Sequence, residues 1–253
     1  MAQLMRTSNP ALSGDTFRTG EATYGDSMTI SGAVNKTGIL LICCVATAAW
    51  TWNRFFNAGS PEAAMQAIAP MMVVGGIGGF ILALVTIFKK EWSPITAPIY
   101  ALLEGLLLGG ISAMLEMRFH GIAIQAVALT FGTLVAMLVA YRTGLIKVTD
   151  KLRLGIVAAT GGIAVFYLLQ LVLGFFGVHF TTINGSSPIG IGFSLLVVVI
   201  AALNLVLDFD LIENGARMGA PKYMEWYGAF ALMVTLIWLY FEILRLLSKF
   251  RER

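Results

Sequence analysis

Four carboxylates stand in stretches of the chain that are otherwise apolar: Glu104, Asp208, Asp210 and Glu242. No lysine, and no arginine before Arg245, shares those stretches deeply enough to neutralise them. A carboxylate without a basic partner in an apolar surrounding must face a cavity, pair with another acid or hold a proton. Around Asp208 the sequence runs Asn204-Leu205-Val206-Leu207-Asp208-Phe209-Asp210, so Asn204 lies one turn before Asp208 on the same helical face. Asp210 points elsewhere, towards Glu213. An interfacial carboxylate at a helix end is one reading of Asp208 and Asp210, and a functional acid is the other. Glu242 has two readings as well. It pairs with Arg245 three residues on, or it faces Asp208 inside a helix bundle. In the second case two close carboxylates cannot both ionise cheaply and share a proton. Opened and deprotonated, they offer hard oxygen ligands suited to Ca²⁺. Glu104 follows Tyr100 by one turn and is either a hydrogen-bonded structural acid or part of a pore lining.

The elements that carry these acids are membrane helices. Hydrophobic residues make up 58% of the 253-residue chain and charged residues only 12%, with a mean hydropathy of +0.82. Soluble domains carry roughly 25% charged residues, so lipid must solvate much of this surface. Candidate spans of ~20 residues fall near Thr37–Phe56, Ile68–Phe88, Ile95–Leu115, Ile122–Tyr141, Leu154–Gly177, Ile189–Leu207 and Tyr227–Leu247. Barrel strands would alternate apolar and polar residues, and a run such as Phe193-Ser194-Leu195-Leu196-Val197-Val198 does not. The fold class is therefore an all-α membrane protein of about seven transmembrane helices. Residues 1–35 read as a polar, mobile tail and 36–253 as the helix bundle. No apolar run follows a basic start in the tail, so no cleaved signal peptide is expected. Glycines inside the spans, among them Gly75, Gly79, Gly105, Gly109, Gly161 and Gly162, read as small residues that let helices approach closely. The minority reading is a weak homo-oligomer; otherwise the chain is a monomer.

Lys/Arg placement puts the N-terminus in the cytoplasm. Arg6, Arg18, Lys36, Lys89, Lys90, Arg142, Lys147, Lys151, Arg153, Arg217 and Lys222 then lie inside, against Arg54 and Arg118 outside. Arg245, Lys249, Arg251 and Arg253 break the pattern if the last span crosses fully, so a broken or re-entrant last element is the alternative. The net charge of +3 is dispersed over loops and excludes a nucleic-acid footprint. Cys43 and Cys44 are adjacent and read as small buried hydrophobes. No lysine lies between Lys222 and Lys249, which excludes a retinal Schiff base in the last span. The only histidines, His120 and His179, fall in short loops, so an enzyme is not expected, and no tightly bound cofactor is implied.

Three stretches carry a family resemblance: Ala97-Pro98-Ile99-Tyr100-Ala101-Leu102-Leu103-Glu104-Gly105, Leu207-Asp208-Phe209-Asp210-Leu211-Ile212, and Tyr240-Phe241-Glu242-Ile243-Leu244-Arg245-Leu246-Leu247. They resemble the Bax inhibitor-1 (TMBIM) family, most closely its bacterial YccA-like branch. The resemblance implies a bacterial inner-membrane protein with the last helix at the centre of the other six. It also implies a pH-sensitive Ca²⁺ leak with an acidic pair between the last two helices, which falls on Asp208 and Glu242. Leu207, Asp210 and Glu242 depart from the family's usual Tyr, Gln and Asp. The alternative function is a non-conducting regulator that binds a membrane protease or another integral protein through the polar tail. The remaining partners are the lipid bilayer, Ca²⁺ and protons.

Overall fold

A computed structural model describes residues 27–177, 183 and 185–253. His179 and the greater part of the polar tail lie outside the described residues. The described chain folds into seven long helices: α1 Ile30–Phe56, α2 Pro61–Phe88, α3 Ser93–Arg118, α4 Ile122–Arg142, α5 Asp150–Phe175, α6 Pro188–Arg217 and α7 Met224–Arg251. Each is long and apolar enough to cross a membrane. A short 3₁₀ turn, Lys90–Trp92, leads into α3. Lipid offers no hydrogen bonds to the backbone, so each span satisfies its own amides as a helix. Side-chain caps start four of them. Thr29, Ser60, Thr149 and Ser187 accept from the amides of Gly32, Ala63, Leu152 and Gly190, and proline at the first position of α2 and α6 fits the same turn.

Close backbone contact builds one half of the bundle. A Cβ on Gly105 would run into the Cys44 carbonyl and the Thr47 hydroxyl, and one on Gly109 would run into the Ala48 backbone. These two glycines let α3 lie directly on α1, where Thr47 Oγ1 donates to Leu102 O at 2.8 Å across the seam. Gly75 does the same for α2, where a Cβ would stand 2.5 Å from Leu103 O. The expectation of tight packing is met at these positions and corrected on α5. Gly161 and Gly162 have nothing within 4 Å of a Cβ, because α5 sits at the edge of the bundle and packs mainly on α6.

Helix α7 packs against α1, α3, α4 and α6. It buries 56% of an 18-residue apolar stretch, whereas α5 buries 11% of its own. The last helix is thus the core of the bundle, although α2 and α5 stand outside its main contacts. It is also unbroken from Met224 to Arg251, so the broken or re-entrant alternative does not describe it. Its basic end is taken up by the protein itself. Arg251 donates to His120 O at 2.7 Å and to Gln125 Oε1 at 3.0 Å, and Lys249 turns inward.

The start of the chain is docked earlier than the apolar pattern suggests. Helix α1 begins at Ile30, seven residues before the first expected span, within the segment read as tail. Ser27 bridges Pro221, and Met28 N donates to Ala220 O at 2.7 Å. Glu225 at the start of α7 is fully buried. It accepts from Thr29 N at 2.9 Å, Thr29 Oγ1 at 2.8 Å and Lys222 Nζ at 2.8 Å, and it pairs with Lys36. A Cβ on Gly32 would strike this carboxylate.

The glycine contacts predict a sharp contrast. Gly105→Leu lowers stability in detergent by about 1–3 kcal/mol or prevents folding, through overpacking. Gly161→Ala leaves the thermal midpoint unchanged or raised. Parallel melting curves of the two variants check both outcomes.

Candidate functional site

Polar residues spaced by seven define the site. On α7 they are Thr235, Glu242 and Lys249; on α6, Ser194 and Asp208, with Ala201 between; on α5, Arg153, Thr160 and Tyr167. A spacing of seven returns a side chain to nearly the same face of a packed helix. Helices α6 and α7 run antiparallel, and three contacts set their register. Lys249 Nζ donates to Ser194 Oγ at 2.9 Å, Thr235 lies against Asp208, and Ile212 fills the space beside Gly228. The same register brings Ala201, fully buried, to the level of Glu242, where a small residue leaves room for the carboxylate.

Helix α5 closes this seam with its own polar stripe. Arg153 Nη2 donates to Asp210 Oδ2 at 2.6 Å. Asn204 Nδ2 donates to Thr160 Oγ1 at 2.8 Å. Tyr167 OH donates to Glu242 Oε1 at 2.9 Å and accepts from Arg245 Nη1 at 2.6 Å. The Arg245 guanidinium lies 4.9 Å from the Tyr167 ring centroid and 3.5 Å from both Glu242 oxygens. Only Ile156 and Ile163 are buried on α5. The helix is therefore held by a polar contact about every two turns, with little apolar burial behind them.

The acids are not arranged as the sequence suggested. The expected proton-shared pair of Asp208 and Glu242 is not formed. Glu242 is occupied by Tyr167 and by Arg245, so its i,i+3 reading is the one observed. Asp208 lies beside Thr235, which precedes Glu242 by seven residues, about 10 Å along the helix at 1.5 Å per residue. The register of α6 against α7 sets the two carboxylates at different depths. Asp208 Oδ2 is shielded and has no hydrogen-bond partner, which is unusual for a buried polar atom. The Ca²⁺ contact set expected of Asp208 and Glu242 is likewise not assembled. Among the described residues no three His, Cys, Asp or Glu side chains converge.

Asp210 points away from Asp208 as expected, and it is latched to Arg153 at the edge of the site. Glu213 accepts from Tyr141 OH at 2.6 Å and from Arg217. Glu104 stands apart from the column. It is buried on α3 against Gly79, beside Tyr100 and Cys44, and Tyr100 packs edge-on to Phe230 at 5.0 Å. A Cβ on Gly79 would come within 2.7 Å of Glu104 Oε1, so that glycine makes the acid's pocket.

A family model described as Bax inhibitor 1 like matches residues 9–252, nearly the whole chain. The protein belongs to the Bax inhibitor 1 like family. No curated protein and no solved structure matches it significantly. With seven apolar helices, this Bax inhibitor 1 like chain is a multi-pass membrane protein. Sequence reasoning passed over Thr235, Thr160, Tyr167 and Glu225, and it took Lys249 and Arg153 only as topology charges. The signal for five of them was available as polar residues recurring every seven positions on α5 and α7.

The two central acids differ in how they are satisfied, and their removal therefore has opposite effects on stability. Asp208→Asn at neutral pH raises stability by about 1–2 kcal/mol, because it removes a carboxylate that is shielded without a full set of partners. Glu242→Ala lowers it by about 1–3 kcal/mol, because Tyr167 and Arg245 lose their acceptor. Thermal unfolding of each variant in one detergent checks the pair of signs.

Proposed function

We propose that this protein is a proton-responsive cation leak, with Ca²⁺ as the permeant ion, and that the path follows the polar column between α5, α6 and α7. The observation that carries the reading is Asp208: a carboxylate inside the bundle with one oxygen shielded and unpartnered, two helical turns from a second buried carboxylate, Glu242. An ionised carboxylate cannot stay dry without a partner. Protonated, Asp208 is compatible with the closed seam. Deprotonated, it draws in water or a cation. The wall that yields is α5, whose hold on the seam is a few hydrogen bonds and the packing of Phe166 on Phe193 at 5.2 Å. Asp208 and Glu242 then act as successive stations for the ion at two depths, with Asn204 between them in height, in place of a single shared-proton pair. Glu104 is a second acid off this path, in its own pocket on α3. The distribution of Lys and Arg supports a cytoplasmic N-terminus, in the cell membrane.

The test is Ca²⁺ flux into dye-loaded liposomes holding the full-length protein. Flux rises with pH as the carboxylates ionise. Asp208→Asn cuts flux about tenfold or more and flattens its pH dependence, and Glu242→Gln acts in the same direction. If both variants retain wild-type flux and pH profile, the leak reading fails.

One observation favours the rival reading, a non-conducting regulator of a membrane protease or another integral protein. Residues 27–36 are clasped to the first turn of α7 through Glu225, so a partner that pulls on the preceding polar segment would act directly on the central helix. Deleting residues 1–26 separates the two. A leak keeps its flux in liposomes, whereas a regulator loses its effect in cells and shows no flux in either form.

A further inference from the structure

Lys249 has a side chain that a membrane helix end does not ordinarily hide. A lysine near such an end stretches its ammonium to water. Lys249 is instead 4% exposed. Its Nζ donates to Ser194 Oγ at 2.9 Å, Gly190 O at 3.0 Å and Ile183 O at 2.7 Å. These three contacts use all the donors of the ammonium. All three acceptors are neutral oxygens, two of them backbone carbonyls, and none is a carboxylate. A shell of carbonyl and hydroxyl oxygens is what replaces the water of a dehydrated metal cation in a membrane pathway.

The position of this shell matters as much as its chemistry. Lys249 continues the α7 stripe of Thr235 and Glu242, and Ser194 continues the α6 stripe of Ala201 and Asp208. The ammonium therefore stands on the seam that carries both acids, two turns beyond Glu242, at the end of the bundle where α7 finishes. Around it on α7 are Arg245, one turn before, and Glu252, which pairs with Arg118 at 3.1 Å. No carboxylate bonds to Lys249; Glu242 and Glu252 act on it only through space, so its unit charge still acts at short range on any ion that reaches the end of the column.

We infer that Lys249 is a tethered cation that occupies and closes the far end of the path, and that it determines which ions pass. The ammonium sits where a permeating cation would be coordinated. The ion passes only when Lys249 leaves the oxygens of Gly190 and Ser194. In this structure Lys249 holds those oxygens. The inference rests on the leak reading, and it adds the element that gates it.

Three variants of the full-length protein in Ca²⁺-dye liposomes test it at one fixed pH. Lys249→Met keeps the length of the side chain and removes the charge and the donors. It raises flux about tenfold. Lys249→Arg keeps the charge and stays near wild type. Ser194→Ala leaves the lysine in place but removes one of its acceptors, and it raises flux by a smaller factor. A Lys249→Met protein with wild-type thermal stability and unchanged or lower flux overturns the inference. If Lys249→Met does not fold, Ser194→Ala decides alone, and unchanged flux overturns the inference. Wild-type flux that depends on Asp208 but ignores Lys249 and Ser194 removes this inference and leaves the leak. A wild type that is silent beside a conducting Lys249→Met supports the gate. Silence from every variant overturns both.

Discussion

A polar group in the hydrocarbon region must find its partner inside the protein, because no water is there to supply one. Most of this molecule follows from how that requirement is met. Thr37, Thr51, Thr86 and Thr130 return their hydroxyls to carbonyls one turn back on their own helices. Larger groups cannot be satisfied locally and must be met from a neighbouring helix. Glu225 is met by Thr29 and Lys36 on or beside α1, Glu242 by Tyr167 on α5, and Lys249 by Ser194 and Gly190 on α6. Each of these contacts ties α7 to another helix, so the most buried helix is also the one with the most demanding side chains.

Two kinds of seam result. Between α1, α2 and α3, glycines remove the side chain and bring backbones together, and the attraction is close packing. Such a seam has one good geometry and resists sliding. Between α5 and the α6–α7 pair, the contacts are mainly hydrogen bonds at the tips of long side chains, separated by about two turns of helix, with one ring contact, Phe166 on Phe193. That seam can open at modest cost wherever the tips find water. The rigid half holds Glu104 in a pocket shaped by Gly79. The compliant half holds Asp208, Glu242 and Lys249. Asp208 is the exception to the rule of internal satisfaction, and it lies in the half that can adjust to it.

The distances between the functional groups come from the antiparallel register of α6 and α7. With Ser194 level with Lys249 and Asp208 level with Thr235, Glu242 falls beside the small Ala201 and away from Asp208. A shift of one heptad would place the two acids together and move Lys249 off its oxygens. The register is held by the fit of Ile212 to Gly228 at one end and by the lysine at the other. The lysine is therefore both part of the fold and part of the polar seam between α6 and α7.

The sequence by itself determined the class, the number of spans and most of their extents. Length and hydropathy are local properties of the chain, and lipid permits a run of that kind one backbone solution. It also singled out Glu104, Asp208, Asp210 and Glu242, because a charge in an apolar run is conspicuous without any structure. The partners were not legible in the same way. Arg153 meets Asp210, Thr160 meets Asn204, and Tyr167 meets Glu242 across separations of many tens of residues. Which face of α5 turns to which face of α6 is a result of packing. The heptad recurrence of Thr235, Glu242 and Lys249 was written in the sequence, but only the register showed that Lys249 faces inward to oxygens while Asp208 and Glu242 stand apart. Pairing depends on axial position, and a shift of seven residues moves a side chain about 10 Å along the helix without changing its face. Face can be read from spacing, whereas depth against a neighbour is decided by the tertiary structure alone.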